Sequence, residues 1–230
     1  MKNSLIWLGL LAAFAVTTAW GGGVGNDTPP SWRGNAYTTY NVWNFVTGAT
    51  TIQPDVLNDP YGTPSAAINP GVDASGWYGP GSPNGNPPAF YGGSVQEMWD
   101  ISTGNITLTV PEVGSGLYED IQVQVTYWSD ISQAPSVSIA DGTQQGSTTT
   151  TVAQNPSGPG EWLTDLSTWL VEPVNNQDII TILGDQTDGS VIDQVIVDTV
   201  TVPEPSTMSL AALGAVALVV AAVRRRELSR

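Results

Sequence analysis

The sequence predicts an all-β protein, an antiparallel β-sandwich of jelly-roll type that lies between two targeting segments. Short runs alternate apolar and polar residues, and turn-forming clusters such as "DGTQQG" and "GDQTDG" separate them, without long helical periodicity in the central part. Alternation with a period of two is typical of strands that bury one face. A chain of 230 residues accommodates one such domain together with its targeting segments.

The first segment, residues 1–19, has the features of a secretory signal peptide. Lys2 precedes an apolar run from Leu5 to Val16, and the small residues Thr17 and Ala19 follow it. This order predicts export with cleavage after Ala19. The apolar run is too short to be a comfortable membrane span.

Residues 20–201 form the predicted sandwich domain. In "NITLTVPE" the apolar residues Ile106, Leu108 and Val110 share one face, and eight further runs alternate in a similar way. The predicted strands are 38–47, 94–101, 105–112, 119–130, 135–140, 148–153, 167–173, 178–185 and 190–202. The stretch 48–93 is rich in Pro, Gly and Asn, which predicts mostly loop. A jelly roll is favoured because two packed sheets hide most strand edges.

The charge distribution excludes nucleic acid as a partner. The formal net charge of the chain is -15, and Arg33 is the only basic residue between Lys2 and Arg224. An acidic surface of this kind repels phosphate backbones. It suits a solvated exported protein, and it leaves a dependence on cations open.

The residue types restrict catalysis and cofactors. The chain has no Cys and no His, which excludes disulfides, imidazole-ligated zinc and Ser–His–acid hydrolysis. The carboxylates that could form a glycosidase pair are Glu97, Glu112, Glu161 and Glu172. No spacing in the sequence brings two of them to the required separation, so we expect no enzyme.

A structural Ca²⁺ is the one cofactor that the sequence leaves open, because Ca²⁺ prefers oxygen ligands. No acidic stretch has the spacing of an EF-hand loop, and the metal ligands therefore stay unassigned. The acidic turns that could supply ligands contain Asp55 and Asp59, Glu119 and Asp120, and Asp185 and Asp188.

Eight Trp residues follow the signal peptide, and core packing accounts for most of them. Trp128 differs because its strand pattern places it on the polar face with Gln122 and Gln124. Trp77 and Tyr78 lie in the loop-rich stretch. These three residues are the candidates for an exposed platform that stacks on a sugar ring.

The last segment, residues 202–230, ends in an apolar run and a basic cluster. Residues 206–223 carry no charge and would extend about 27 Å as a helix, just enough for a transmembrane helix. Arg224, Arg225 and Arg226 follow at once and should stay on the cytoplasmic side. The acidic domain would then lie outside.

The same segment resembles the PEP-CTERM sorting signal of exported bacterial proteins. The resemblance rests on Val202, Pro203, Glu204 and Pro205, followed by the apolar helix and the three arginines. It implies recognition by exosortase, a membrane protease-transpeptidase. It also implies transient anchoring in the inner membrane, transfer to the cell surface or extracellular matrix, and an association with exopolysaccharide and biofilm.

Three stretches of the domain, "WRGNAYTTYNVWNF", "NDPYGTPSA" and "IQVQVTYW", also resemble planctomycete-type PEP-CTERM proteins. This second resemblance implies no activity. We therefore expect a non-catalytic structural or adhesive surface component. A carbohydrate-binding module that uses the aromatic platform is the alternative, and a glycoside-active enzyme is the third hypothesis.

Overall fold

A computed structural model describes residues 25–92, 95–155 and 158–203 of the chain. The predicted signal peptide (1–19) and the predicted transmembrane helix (about 206–223) lie outside these residues. Within the described ranges, no helix is long and apolar enough to cross a membrane. The prediction of an all-β protein is confirmed.

The described residues form thirteen strands and a short 3-10 helix at Ala89–Tyr91. The strands are β1 (Thr38–Trp43), β2 (Thr51–Ile52), β3 (Val56–Asn58), β4 (Ser65–Asn69), β5 (Gly76–Tyr78), β6 (Met98–Ser102), β7 (Asn105–Pro111), β8 (Tyr118–Trp128), β9 (Ser136–Ile139), β10 (Gly142–Gln154), β11 (Glu161–Val171), β12 (Gln177–Leu183) and β13 (Ser190–Val202).

The strands form two antiparallel sheets. The larger sheet has the order β10-β11-β8-β13-β1-β3, with β6 pairing the first residues of β13 and β5 pairing β6. The smaller sheet has the order β2-β4-β7-β12-β9. Consecutive strands from β6 to β9 alternate between the sheets, so that each crossing places one inward-facing row against another, as in a β-sandwich.

All nine predicted strands overlap observed ones. Four short strands, β2 to β5, lie in the stretch 48–93, for which the sequence predicts mostly loop. They were not recognisable because each has two to five residues between Pro and Gly, too few to show alternation. β11 begins at Glu161, six residues before its predicted start, directly after the turn that ends at Gly160.

The main core lies between the two sheets. It contains the inward rows of the long strands, for example Ile106, Leu108 and Val110 of β7, and Ile121, Val123 and Val125 of β8. A second cluster lies on the outer face of the larger sheet. Its buried members are Tyr91, Val95, Met98, Trp128, Trp162 and Val191.

The outer face of the larger sheet is also covered by the segment 25–33. Thr28 donates its N–H to Gln124 at 2.9 Å and accepts a hydrogen bond from Gln122 at 2.7 Å. Arg33 binds Asp198 of β13 and Asp27 through its guanidinium. The central strands β8 and β13 are therefore buried on both faces.

Candidate functional site

The inward rows of the strands change from apolar to polar at one end of the sandwich. Two residues after Val110, β7 is followed by Glu112, and two residues before Ile180, β12 carries Asp178. On β8, Glu119 precedes Ile121 by the same step. Side chains two residues apart on a strand point to the same face, so all three carboxylates point between the sheets.

Two strands of the larger sheet add polar groups to this layer. Thr199 and Thr201 continue the inward row of β13 beyond Val197, and Thr39 lies opposite Thr199 on β1. We name Glu112, Glu119 and Asp178 the acidic cluster. The smaller sheet supplies Glu112 and Asp178, and the larger sheet supplies Glu119.

The carboxylates of the acidic cluster are buried close together. One oxygen of each lies within 4.8 Å of the others, and the residues are 6%, 0% and 1% exposed in chain order. Thr199 donates a hydrogen bond to Glu112 at 2.8 Å, and its hydroxyl lies 2.9 Å from that of Thr39. Thr201 reaches Glu119 at 3.5 Å.

These hydroxyls leave several oxygens of the cluster without a partner. Glu112 Oε2, Glu119 Oε2 and both carboxylate oxygens of Asp178 accept no hydrogen bond from a donor group of the described residues. Glu119 lies within hydrogen-bonding reach of Glu112 and Asp178, but two carboxyl groups form such a bond only when one of them is protonated. An ionised carboxylate in such a setting is costly unless a charge or hydrogen-bond donors satisfy it. The acidic cluster therefore requires a proton or a cation.

The electrostatic environment of the cluster favours positive charge. Burial is the main cause that raises the pKa of Glu112 to about 8, of Glu119 to about 9 and of Asp178 to about 8. The charges of neighbouring carboxylates raise these pKa values further. Arg33 is the only Lys or Arg among the described residues, and it lies on the opposite face of the larger sheet, against Asp198.

Asn41, Asp59 and Tyr61 surround the cluster on the side of β1. Asn41 is 0% exposed and follows Thr39 in the inward row of β1. Its amide NH2 group interacts with the Asp59 carboxylate and lowers the pKa of that group, whereas its amide oxygen has no partner among the described residues. Burial raises the pKa of Asp59, and its charge in turn raises that of Glu112. The pKa of Tyr61 is raised by burial and by the charge of Glu112.

Of the four carboxylates considered for a glycosidase pair, only Glu112 belongs to the cluster. Glu172 is exposed, Glu161 accepts a hydrogen bond from Thr151 at 3.1 Å, and the pKa of Glu97 is raised by burial and by Asp55. Glu112 and Glu119 lie close together, and both are buried between the sheets.

The acidic turns use their carboxylates mostly for backbone hydrogen bonds. Asp185 accepts the N–H groups of Thr187 and Asp188, at 2.8 and 2.9 Å. Asp55 accepts that of Asn44 at 2.6 Å. Of the residues considered for Ca²⁺, Glu119 belongs to the acidic cluster and Asp59 lies beside it, whereas the neighbouring Asp120 does not belong to it.

The prediction that Trp128 forms an exposed platform is wrong. Trp128 is 0% exposed and makes edge contacts with Tyr91 and Trp162, each with ring centroids 5.4 Å apart. Its polar neighbours on β8 suggested a solvent-facing side, but the turn at Ala89–Tyr91 covers this part of the sheet. Trp77 and Tyr78 are partly buried, and Trp77 donates its indole N–H to the Phe45 carbonyl at 2.8 Å.

The sorting segment starts at the same end of the sandwich as the acidic cluster. Val202 is the last residue of β13, and its carbonyl accepts the N–H of Leu117 at 2.8 Å. Pro203 lines a groove of about 550 Å³ together with Tyr37, Val113 and Val174. Glu204, Pro205 and the three arginines Arg224, Arg225 and Arg226 lie outside the described residues.

Comparison with protein families identifies this segment. Residues 201–226 match the family described as the PEP-CTERM protein-sorting motif. The motif implies export, processing by the membrane protein exosortase, and membrane-associated sorting to the cell surface. The chain is an exported, surface-sorted protein.

The family match does not extend to the domain that precedes the motif. No curated protein matches the chain. The resemblance to planctomycete-type proteins stays a prediction, because the family match covers only the sorting segment.

Proposed function

We propose that the protein is a non-catalytic structural component of the cell surface or extracellular matrix, associated with exopolysaccharide or biofilm, and that its jelly-roll domain assembles through an exposed strand edge. The matched sorting motif supports delivery to the surface. The order β6-β13-β8-β11 in one sheet facing β7-β12-β9 in the other supports the jelly roll, since consecutive strands alternate between the sheets.

The observation that carries the assembly role is strand β10. It is the edge of the larger sheet, has 13 residues and is exposed over most of its length. Its sequence, "GTQQGSTTTTVAQ", contains no charged residue and no Pro. Charged residues and Pro are the residues that commonly prevent an edge strand from pairing with another molecule. Two bulges interrupt it, but Gly146–Thr151 pair with β11 without interruption. Such an edge can pair with a strand of another molecule.

The test is the association state of the protein recovered from its native surface. Intact mass first establishes whether residues 1–19 and those beyond about 205 are removed. Sedimentation then compares the wild type with Thr148→Lys/Thr150→Lys, which places charges on the edge. We expect concentration-dependent association in the wild type and a loss of at least tenfold in the variant.

The matched control is Thr107→Lys/Thr109→Lys on β7, an interior strand of the smaller sheet that has neighbours on both sides. This control adds the same charge without touching an edge, and it should associate like the wild type. A wild type that stays monomeric at all concentrations, or a control that is impaired as much as the edge variant, would contradict assembly through β10.

A carbohydrate-binding module is the alternative function. Its remaining support is the partial exposure of Trp77 and Tyr78, since Trp128 is buried. Titration with a neutral exopolysaccharide, followed by tryptophan fluorescence, decides between the two functions when Tyr78→Ala is compared with the wild type. A saturable change that the variant lacks would favour the module over the assembly role.

A further inference from the structure

We propose that Glu112, Glu119 and Asp178 bind a Ca²⁺ ion between the two sheets, at the end of the sandwich from which the sorting motif leaves. The inference does not depend on the assembly role proposed above. It rests on the geometry of the three carboxylates, on the unsatisfied polar groups around them, and on the strands that carry them.

The spacing of the carboxylates fits Ca²⁺. Ca²⁺ binds oxygen at about 2.3–2.6 Å, so any two ligands of one ion lie at most about 4.6–5.2 Å apart. The cluster offers one oxygen from each residue, all within 4.8 Å of one another. Mg²⁺ usually keeps several of its waters and is rarely bound by an all-protein set of ligands, so carboxylates buried between two sheets suit Ca²⁺ better.

The chemistry of the site favours the same ion. Every side-chain donor in the layer is an oxygen or an amide, and the chain contains no His and no Cys, the ligands that zinc and copper prefer. Carboxylates and hydroxyls, by contrast, are typical of Ca²⁺ sites.

Asn41 is independent evidence that the layer lacks a ligand. Its side chain is 0% exposed. The amide NH2 group interacts with Asp59, but the amide oxygen has no hydrogen-bond partner among the described residues. Buried polar atoms without a partner are rare in native proteins. Asn41 lies in the inward row beside Thr39, and its amide oxygen is a further ligand of the type that Ca²⁺ accepts.

The strands that supply the ligands give the ion a structural role. Glu112 and Asp178 belong to the smaller sheet, and Glu119 belongs to the larger one, directly opposite Thr201 on β13. An ion held by all three carboxylates would connect the two sheets at the level of Thr201, the residue before the last residue of β13, Val202. Extracellular Ca²⁺ modules bind with dissociation constants of about 10⁻⁴–10⁻³ M, a range in which the ion would be taken up after export.

The test uses the full-length protein in detergent, first treated with a chelator and then titrated calorimetrically with Ca²⁺ in 150 mM salt and excess Mg²⁺. These conditions suppress weak binding to the acidic surface. We expect one saturable site per chain. At Ca²⁺ about 100-fold above the dissociation constant, the unfolding temperature should rise by about 5–10 °C.

The variants Glu119→Gln and Asp178→Asn keep the shape of the side chains and remove one charged ligand each. We expect each to weaken Ca²⁺ binding at least tenfold and to lose the rise in unfolding temperature. The matched control Asp130→Asn removes the same charge from an exposed residue and should bind as the wild type does. These comparisons require folded variants, which their tryptophan fluorescence establishes.

The wild type alone is decisive if a variant does not fold. Absence of a saturable Ca²⁺ site in the wild type would overturn the proposal, and so would equal binding by the wild type and both cluster variants. A third contrary result combines two observations: the wild type shows no Ca²⁺ response, and Glu119→Gln is more stable than the wild type. In that case the cluster is a layer of protonated carboxyl groups.

Discussion

Asp198 and Thr199 are neighbours on β13, and the buried carboxylates on the two sides of this strand are stabilised by different means. On the outer face, Asp198 accepts hydrogen bonds from Arg33 at 2.5 and 2.7 Å, and the guanidinium also lies 3.9 Å from the ring centre of Tyr40. On the inner face, Glu112 lies against Thr199 and two further carboxylates. The one Lys or Arg of the described residues, Arg33, lies on the other face.

The difference shows how the chain uses its single internal cation. Arg33 compensates Asp27 and Asp198, and its hydrogen bonds to them outweigh burial and raise its own pKa. Burial raises the pKa of Asp198 only to about 6, because Arg33 opposes the shift. The acidic cluster has no such partner, and its pKa values reach about 8 to 9. The proton or cation that neutralises the cluster must therefore come from the solution.

The largest expected effect is therefore the pH dependence of the chelator-treated protein. A carboxyl group whose pKa is raised by folding stabilises the folded state below its unfolded pKa, and this contribution is lost as the pH rises through the folded pKa. The free energy of unfolding should fall steadily as the pH rises from about 4 to about 9. Thermal unfolding at one-unit steps of pH measures this.

Two variants separate the faces of β13 in the same experiment. Glu119→Gln removes one of the titrating groups, so we expect a shallower loss of stability between pH 6 and pH 9. Asp198→Asn should change the profile only between about pH 4 and pH 6, the range bounded by the usual and the raised pKa of Asp198. Identical profiles for the wild type and Glu119→Gln would show that the loss of stability between pH 6 and pH 9 does not come from the acidic cluster.

The next effect concerns the compensated face. Arg33→Met keeps much of the side-chain volume but leaves Asp198, which is 0% exposed, without a counter-charge. Removing one partner of a buried ion pair typically costs about 3–5 kcal/mol. We expect a loss of this size in the free energy of unfolding in urea at pH 7.5, which lies above the pKa of about 6 that Asp198 has in the wild type.

The double variant Arg33→Met/Asp198→Asn tests the cause of that loss. It removes the uncompensated charge, so it should be more stable than Arg33→Met alone by about 1–3 kcal/mol. If the double variant is as unstable as or less stable than the single one, the loss comes from packing against Tyr40 rather than from the unpaired carboxylate.

The sequence predicted the long strands because their alternation is local. β7, β8, β12 and β13 each show several apolar residues at a spacing of two, whatever their neighbours are. Glu112, Glu119 and Asp178 continue those same rows, so a signal for the cluster existed. That the three row ends meet depends on strand order and register, such as Gln177 opposite Pro111, which alternation does not determine.

The outer face of β8 was misinterpreted for a related reason. Gln122, Gln124 and Thr126 alternate with apolar residues and therefore look solvent-facing. In the structure the two glutamines bind Thr28, and Trp128 is covered by Tyr91. A row of polar residues on a strand is exposed to solvent only if no other segment of the chain covers it. Here the covering segment lies about a hundred residues away in the sequence, so no local pattern reveals it.

The smallest expected effect comes from matched hydroxyl pairs on the two faces. The hydroxyls of Thr39 and Thr199 lie 2.9 Å apart on the inner face, and those of Thr126 and Thr164 lie 2.8 Å apart on the outer face. Only Thr199 also donates to a carboxylate, Glu112 Oε1. Replacing either Thr199 or Thr126 with Val should cost about 1 kcal/mol at pH 5.

The two costs should diverge as the pH rises. When Glu112 ionises, the bond from Thr199 becomes charge-assisted, and such bonds contribute about 1.5–3 kcal/mol. In chelator at pH 9, Thr199→Val should therefore lose about 2 kcal/mol in urea unfolding, whereas Thr126→Val should lose the same amount as at pH 5. Parallel behaviour of the two variants would mean that Thr199 does not sense the charge of Glu112. The distinction between the two faces of β13 would then rest on Arg33 alone.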